Sequence, residues 1–185
     1  MWHKYLLRLL GFRMEGMELL REYPKSVVTM APHTAYREAI YGKWALQAAG
    51  VKYVFCSKNE YFSGPMKLAM RYIGAMPVRN VPGKNSIFEV TKLLNQNKQL
   101  HVVICPEGGF APTHTWQDGF YYMACRANVP ILVGAIDFKK RVISIKGVII
   151  DLSDKREVYR KLHDYYDGVT ACYPKRFLLP LNHEM

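Results

Sequence analysis

Acidic side chains are scarce in this 185-residue chain, with 15 Asp and Glu against 26 Lys and Arg and a formal net charge of +11. That imbalance draws the protein toward polyanions, either nucleic acid or an anionic lipid surface, without choosing between them. Cysteine is also scarce. Cys56, Cys105, Cys125 and Cys172 lie far apart and form no Cys-x-x-Cys pair, so zinc is not suggested. A chain of this length needs no disulfide scaffold, and a reduced cytoplasmic setting is the simplest expectation. No apolar run approaches the ~18 residues that cross a bilayer. Met1 to Phe12 has neither a cleavage signal nor the long apolar core of a secretory peptide. Repeats, linkers and low-complexity tracts are missing as well. With 50% hydrophobic and 22% charged residues, disorder and collagen are excluded. One domain over 1–185 is expected.

The first dozen residues still carry a pattern. On a helix, Trp2, Tyr5, Leu6, Leu9 and Leu10 share one stripe and leave Lys4 and Arg8 on another side. Such a segment, 1–12, either lies in a membrane interface or packs on its own domain. Beyond it, short apolar runs alternate with helical ones. Strands are expected at Ser26–Met30, Tyr53–Cys56, Val102–Cys105 and Ile131–Ile136. Val142–Ile145 and Val148–Ile150 follow as a pair split around Lys146 and Gly147, either a hairpin or a kinked edge. Helices are expected at Tyr36–Ala49, Pro65–Ile73, Ile87–Asn95, Gln117–Ala127 and Lys155–Tyr166. The pattern predicts a single α/β domain with a mostly parallel central sheet flanked by helices. In such sheets chemistry gathers where strands end and helices begin.

Two strand ends carry candidate groups. His33 falls just past the first strand, and Glu38 lies five residues on, inside the next helix. A carboxylate there can reach back and hold one imidazole nitrogen, leaving the other to accept a proton. That is a workable general base, worth ~10²–10⁴ in rate. Taken alone, Glu38 is equally a favourable charge at a helix N-terminus. The second strand end reads Cys105-Pro106-Glu107-Gly108-Gly109-Phe110. Its glycines permit a turn with exposed N–H groups for a carboxylate, a phosphate or an oxyanion. A third segment, Ile73 to Asn80, leaves a helix, turns at Gly74 and carries Arg79 on an extended piece. Met66, Met70, Tyr72 and Ile73 follow helical spacing and read as core or as groove lining. Cys105 reads as a buried structural thiol. His101, His114 and His163 have no metal-ligand spacing with one another, and no metal or cofactor is expected.

In this order and at these intervals, the segments resemble the glycerolipid acyltransferases typified by lysophosphatidate acyltransferases, in their short bacterial form. His33 with Glu38 looks like the His-x4-Asp motif, Gly74 to Asn80 like the Pro-Val block, Glu107-Gly108 like Glu-Gly-Thr-Arg, and Val129-Pro130-Ile131 like the last block. Gly11 to Gly16 resembles the family's opening strand, and Gly119 to Ala124 its late helix. The resemblance implies transfer of a fatty acyl group from acyl-CoA or acyl carrier protein to a hydroxyl of a lyso-lipid acceptor. His33 would be the base, Glu38 its orienter, and Glu107, Gly108 and Gly109 the acceptor or oxyanion side. It further implies an anionic membrane surface as partner and a place on the inner face of the cell membrane.

Three departures accompany it. Glu38 replaces aspartate, Gly109 and Phe110 replace threonine and arginine, and Arg79 comes one residue early with Asn80 in its slot. An arginine fork suits phosphate. Either Arg37, Lys58, Arg79 or Lys84 replaces it, or the acceptor is not a lysophosphatidate. The alternative reading is a weakened relative that binds acyl chains or membranes without turnover. Lys and Arg are scattered and no base-reading motif accompanies them, so no specific nucleic acid is expected.

Overall fold

The computed structural model describes residues 2–78, 80–81 and 84–179. Along them run α1 (Trp2–Leu9), β1 (Arg13–Glu15), α2 (Leu19–Glu22), β2 (Lys25–Met30), α3 (Tyr36–Ala49), β3 (Tyr53–Lys58), α4 (Met66–Ile73) and β4 (Ala75–Val78). A short antiparallel pair, β5 (Asn80–Val81) and β6 (Lys84–Asn85), follows. The chain continues through α5 (Ser86–Gln96), β7 (Leu100–Ile104), α6 (Gly119–Ala127), β8 (Ile131–Asp137), β9 (Val142–Ile149) and α7 (Lys155–Tyr166).

Seven strands form one sheet in the order β1-β9-β8-β2-β7-β3-β4. Neighbours are parallel except at the β8–β9 hairpin. The apolar runs are continuous because the strands are buried on both faces. In β2, Val27 enters one core beside Val90 and Leu94 of α5, Phe120 of α6 and Leu162 of α7. Val28, one residue on, enters the other core beside Leu7 of α1, Leu20 of α2, Leu46 of α3 and Ile73 of α4. Alternation of successive side chains across the sheet thus sorts α1–α4 to one face and α5–α7 to the other.

The region expected as two strands, Val142–Ile145 and Val148–Ile150, is a single strand. Val133 pairs with Gly147 and Gly134 with Ile145, so Lys146 is an extra residue that bulges without breaking the ladder. Nor does this strand form the edge, since β1 pairs outside it, Met14 opposite Ile143. Pro65 and Gln117 precede their helices, which begin at Met66 and Gly119. No described helix is long and apolar enough to cross a membrane.

Candidate active site

Three adjacent strands, β2, β7 and β3, deliver their carboxyl ends to one crevice. β2 leads to His33, β7 leads to Glu107, and β3 ends at Lys58. All three residues line a cavity of about 740 Å³, together with Gly108, Gly109 and Phe110. Met30, Phe55, Met70, Ile73 and Met123 make much of the remaining wall apolar.

The local sequence explains how His33 and Glu38 meet. The residue before α3 is Ala35, which has no oxygen with which to cap the helix. Glu38, in the first turn, reaches back instead. Its Oε2 accepts the N–H groups of Thr34 at 2.7 Å and Ala35 at 3.1 Å, and Oε1 accepts the Thr34 hydroxyl at 2.8 Å. The folded-back carboxylate is almost fully buried, and His33 Nδ1 lies 3.1 Å from Oε2. That is an ion-pair distance, with the ring turned out of line for a hydrogen bond. The imidazole itself is 15% exposed, on the cavity side. Burial works against the charged ring, while the Cys105 sulfur and the Glu38 carboxylate work for it. Burial raises the Cys105 pKa in turn, and the two neighbours together hold the His33 pKa above 6.5.

Glu107 fixes the same loop from the neighbouring strand. Its Oε1 accepts the backbone N–H of His33 at 2.8 Å, and Oε2 is shielded from solvent without a hydrogen-bond partner among the described residues. Burial pushes the carboxyl pKa up to about 7, against the pull of His33. Beyond it, a side chain on Gly108 would come within 3.0 Å of Gln117 Cγ. The expectation of two free N–H groups in this turn is corrected at Gly108, whose N–H closes the turn onto the Cys105 carbonyl at 3.1 Å. Gly109 keeps an N–H without an acceptor among the described residues, and Lys58 Nζ lies 3.9 Å from where its side chain would begin.

Other expected groups are placed differently. Tyr36 and Ala39 of α3 face the cavity, and Arg37, about 100° further round the helix, does not. Arg37 Nε instead lies 2.8 Å from Cys172 Sγ, with its guanidinium 5.4 Å from the Phe138 ring centroid. Arg79 and the side chain of Lys84 lie outside the described residues. Tyr72 is exposed rather than lining the groove with Met70 and Ile73. Cys105 and Cys56 both line the cavity, and burial pushes Cys56 up to about 12, so both are thiols rather than nucleophilic thiolates at neutral pH.

One contributor was not singled out from the sequence. Thr34 relays between the Tyr173 backbone N–H, which it accepts at 3.1 Å, and Glu38. A hydroxyl just before a helix was the available signal for it. Phe110, a departure expected to suit an apolar acceptor portion better than a phosphate, covers the imidazole with ring centroids 4.6 Å apart and meets Tyr36 at 4.5 Å. An imidazole braced by a carboxylate at an apolar cavity can take a proton from a hydroxyl brought beside it. No group of residues suited to hold a metal ion occurs among the described residues.

A family model described as Acyltransferase matches residues 11–136, more than half of the chain, including His33, Glu38, Lys58 and Glu107 to Phe110. No curated protein matches significantly.

Proposed function

Because the chain belongs to the acyltransferase family, we propose that it moves a fatty acyl group from a thioester, acyl-CoA or acyl carrier protein, to a hydroxyl of a lyso-glycerolipid-like acceptor. The observation that carries the reading is the 3.1 Å approach of His33 Nδ1 to the buried Glu38 carboxylate at the mouth of an apolar cavity. Glu38 steadies Nδ1, and Nε2 takes the acceptor's hydroxyl proton as its oxygen attacks the thioester carbonyl carbon. The C–S bond then breaks, and the departing thiolate recovers the proton from the ring, so no acyl-enzyme is formed. The apolar wall of Met30, Phe55 and Met70 suits an acyl chain. Glu107 Oε2, shielded and without a protein partner, suits a hydroxyl or other donor of the acceptor, and Gly109 with Lys58 the negative charge on the carbonyl oxygen.

Phe110, where relatives of the lysophosphatidate type carry arginine, places an aromatic ring over the imidazole. An apolar acceptor portion fits that surface better than a phosphate does. The stripe of α1 and the +11 charge support a peripheral seat on an anionic membrane, at its inner face.

The test is release of free thiol from acyl-CoA and from acyl carrier protein with a panel of lyso-lipid acceptors. Release should need an acceptor, fall at least ~10²-fold in His33→Ala, and be poor with lysophosphatidate. Acceptor-dependent release that survives His33→Ala would remove the mechanism.

A further inference from the structure

Three helices on one face of the sheet are nearly free of acid, while the fourth, α2, carries Arg21 and Glu22. α1, α3 and α4 carry Lys4, Arg8, Arg37, Lys43, Lys67 and Arg71, and their single acid is Glu38, which is buried against His33. On the other face α7 carries four cations and two acids, with Arg160 paired to Glu157 and Asp164 at 2.8 Å each. Exposed apolar side chains gather on the basic face too. Trp2 is 61% exposed, Leu9 82%, Leu68 75% and Tyr72 50%. On α4 these last two point outward, while Met70 and Ile73 of the same helix line the cavity.

Lys43 of α3 joins the two ends of this surface. Its ammonium donates to the Tyr72 carbonyl of α4 and lies 3.6 Å from the centroid of the Tyr72 ring. Toward α1, burial first and then nearby positive charge, Lys43 included, lower the His3 pKa. α1 and α4 thus flank Lys43, itself buried, and present Lys4, Arg8, Lys67 and Arg71 around exposed aromatic and leucine side chains. Neither helix carries an acid, and Glu60 is the exposed acid in the turn before α4. Apolar side chains ringed by uncompensated cations match an anionic bilayer, which offers acyl chains beneath negative headgroups.

We infer that α4 is a second membrane-docking element: Leu68 and Tyr72, flanked by Lys67 and Arg71, enter an anionic bilayer surface together with Trp2, Tyr5 and Leu9 of α1. The cavity wall formed by Met70 and Ile73 then stands directly behind the lipid contact. This deepens the proposed function by giving its lipid substrates a side of entry, and it rests on that reading for its purpose. Binding itself requires no turnover.

The experiment is flotation of the full chain with vesicles of phosphatidylglycerol and phosphatidylcholine, with pure phosphatidylcholine as control. The native chain should float with the anionic vesicles and be released by salt. A Lys67→Gln/Leu68→Gln/Arg71→Gln variant should partition roughly tenfold more weakly, as should Leu9→Gln, with thermal midpoints unchanged. Full binding by the α4 variant would overturn the inference and leave docking to α1 alone. Failure of the native chain to bind, or Leu68-dependent self-association without lipid, would overturn it as well. Flotation without thiol release would refute the proposed function and leave the docking face standing.

Discussion

Glu38 serves the fold and the imidazole with one pair of oxygens. It caps α3 where Ala35 cannot, and the same bend sets it against His33. Only the neutral ring accepts a proton, and the ring's pKa is raised above 6.5. Turnover should therefore climb with pH through the raised pKa and then level off. Glu38→Gln keeps an oxygen for the cap and removes the charge. Its pH–rate curve should rise at lower pH than the native one, with a plateau depressed on the order of 10²-fold. An unmoved curve would detach Glu38 from the base. At this scale His33 and Glu38 were legible because both lie in one strand-loop-helix passage, where five positions of sequence fix the distance. Thr34 was not, because what makes it matter is a backbone N–H 139 positions away.

Among the elements, the strands were easiest to read where both faces are covered. β2, β7 and β8 are buried along nearly their whole length around short apolar runs such as Val27-Val28 and Val102-Val103-Ile104. β9 was harder, because Lys146 and Gly147 interrupt its apolar pattern although a bulge carries the ladder through them. β1, three residues long, has too few positions for any period and was visible only through resemblance. Its exit turn is nevertheless tightly constrained. Gly16 has φ +69, and a side chain there would begin 2.1 Å from the Ile145 carbonyl oxygen, a backbone atom with little room to yield. Gly16→Ala should cost roughly 3 kcal/mol or more. For a chain of this size that is a fall of about 6–12 °C in Tm by thermal unfolding. A Tm within a degree of native would mean that the β1–β9 edge is looser than its register indicates.

For the whole molecule, stability against pH sets two buried groups in opposition. His101, held by Ser26 Oγ at 2.9 Å between β2 and β7, has its pKa pushed by burial down to about 4. The unfolded ring takes up its proton near 6.5, so this group removes stability as pH falls from there toward 4. Glu107, pushed up to about 7, keeps its proton when the unfolded carboxyl has lost one, so it removes stability as pH rises from 4.5 to 7. Each is worth on the order of 3 kcal/mol over its range. Their contributions cancel between about pH 4.5 and 6.5. Native stability in urea should be nearly flat there. Glu107→Gln should expose a decline toward acid and His101→Asn the reverse. Parallel curves for all three would show that the two groups do not titrate as their burial requires. The overall α/β plan was legible because it follows from the alternation of runs. The gathering of α1 and α4 cations around exposed leucine and aromatic side chains was not, because a sequence shows how many cations there are and only the fold decides which helices share a side.

The contact between the Tyr173 peptide and the Thr34 hydroxyl has one more implication. Among the described residues, the stretch after α7 places no group in the cavity, yet it steadies the hydroxyl that steadies the Glu38 carboxylate. An alteration near residue 173, whether a tag, a graft or a bound neighbour, therefore reaches the proton-accepting ring through a single oxygen atom. Swapping that stretch between relatives would retune the chemistry while every wall residue stayed the same.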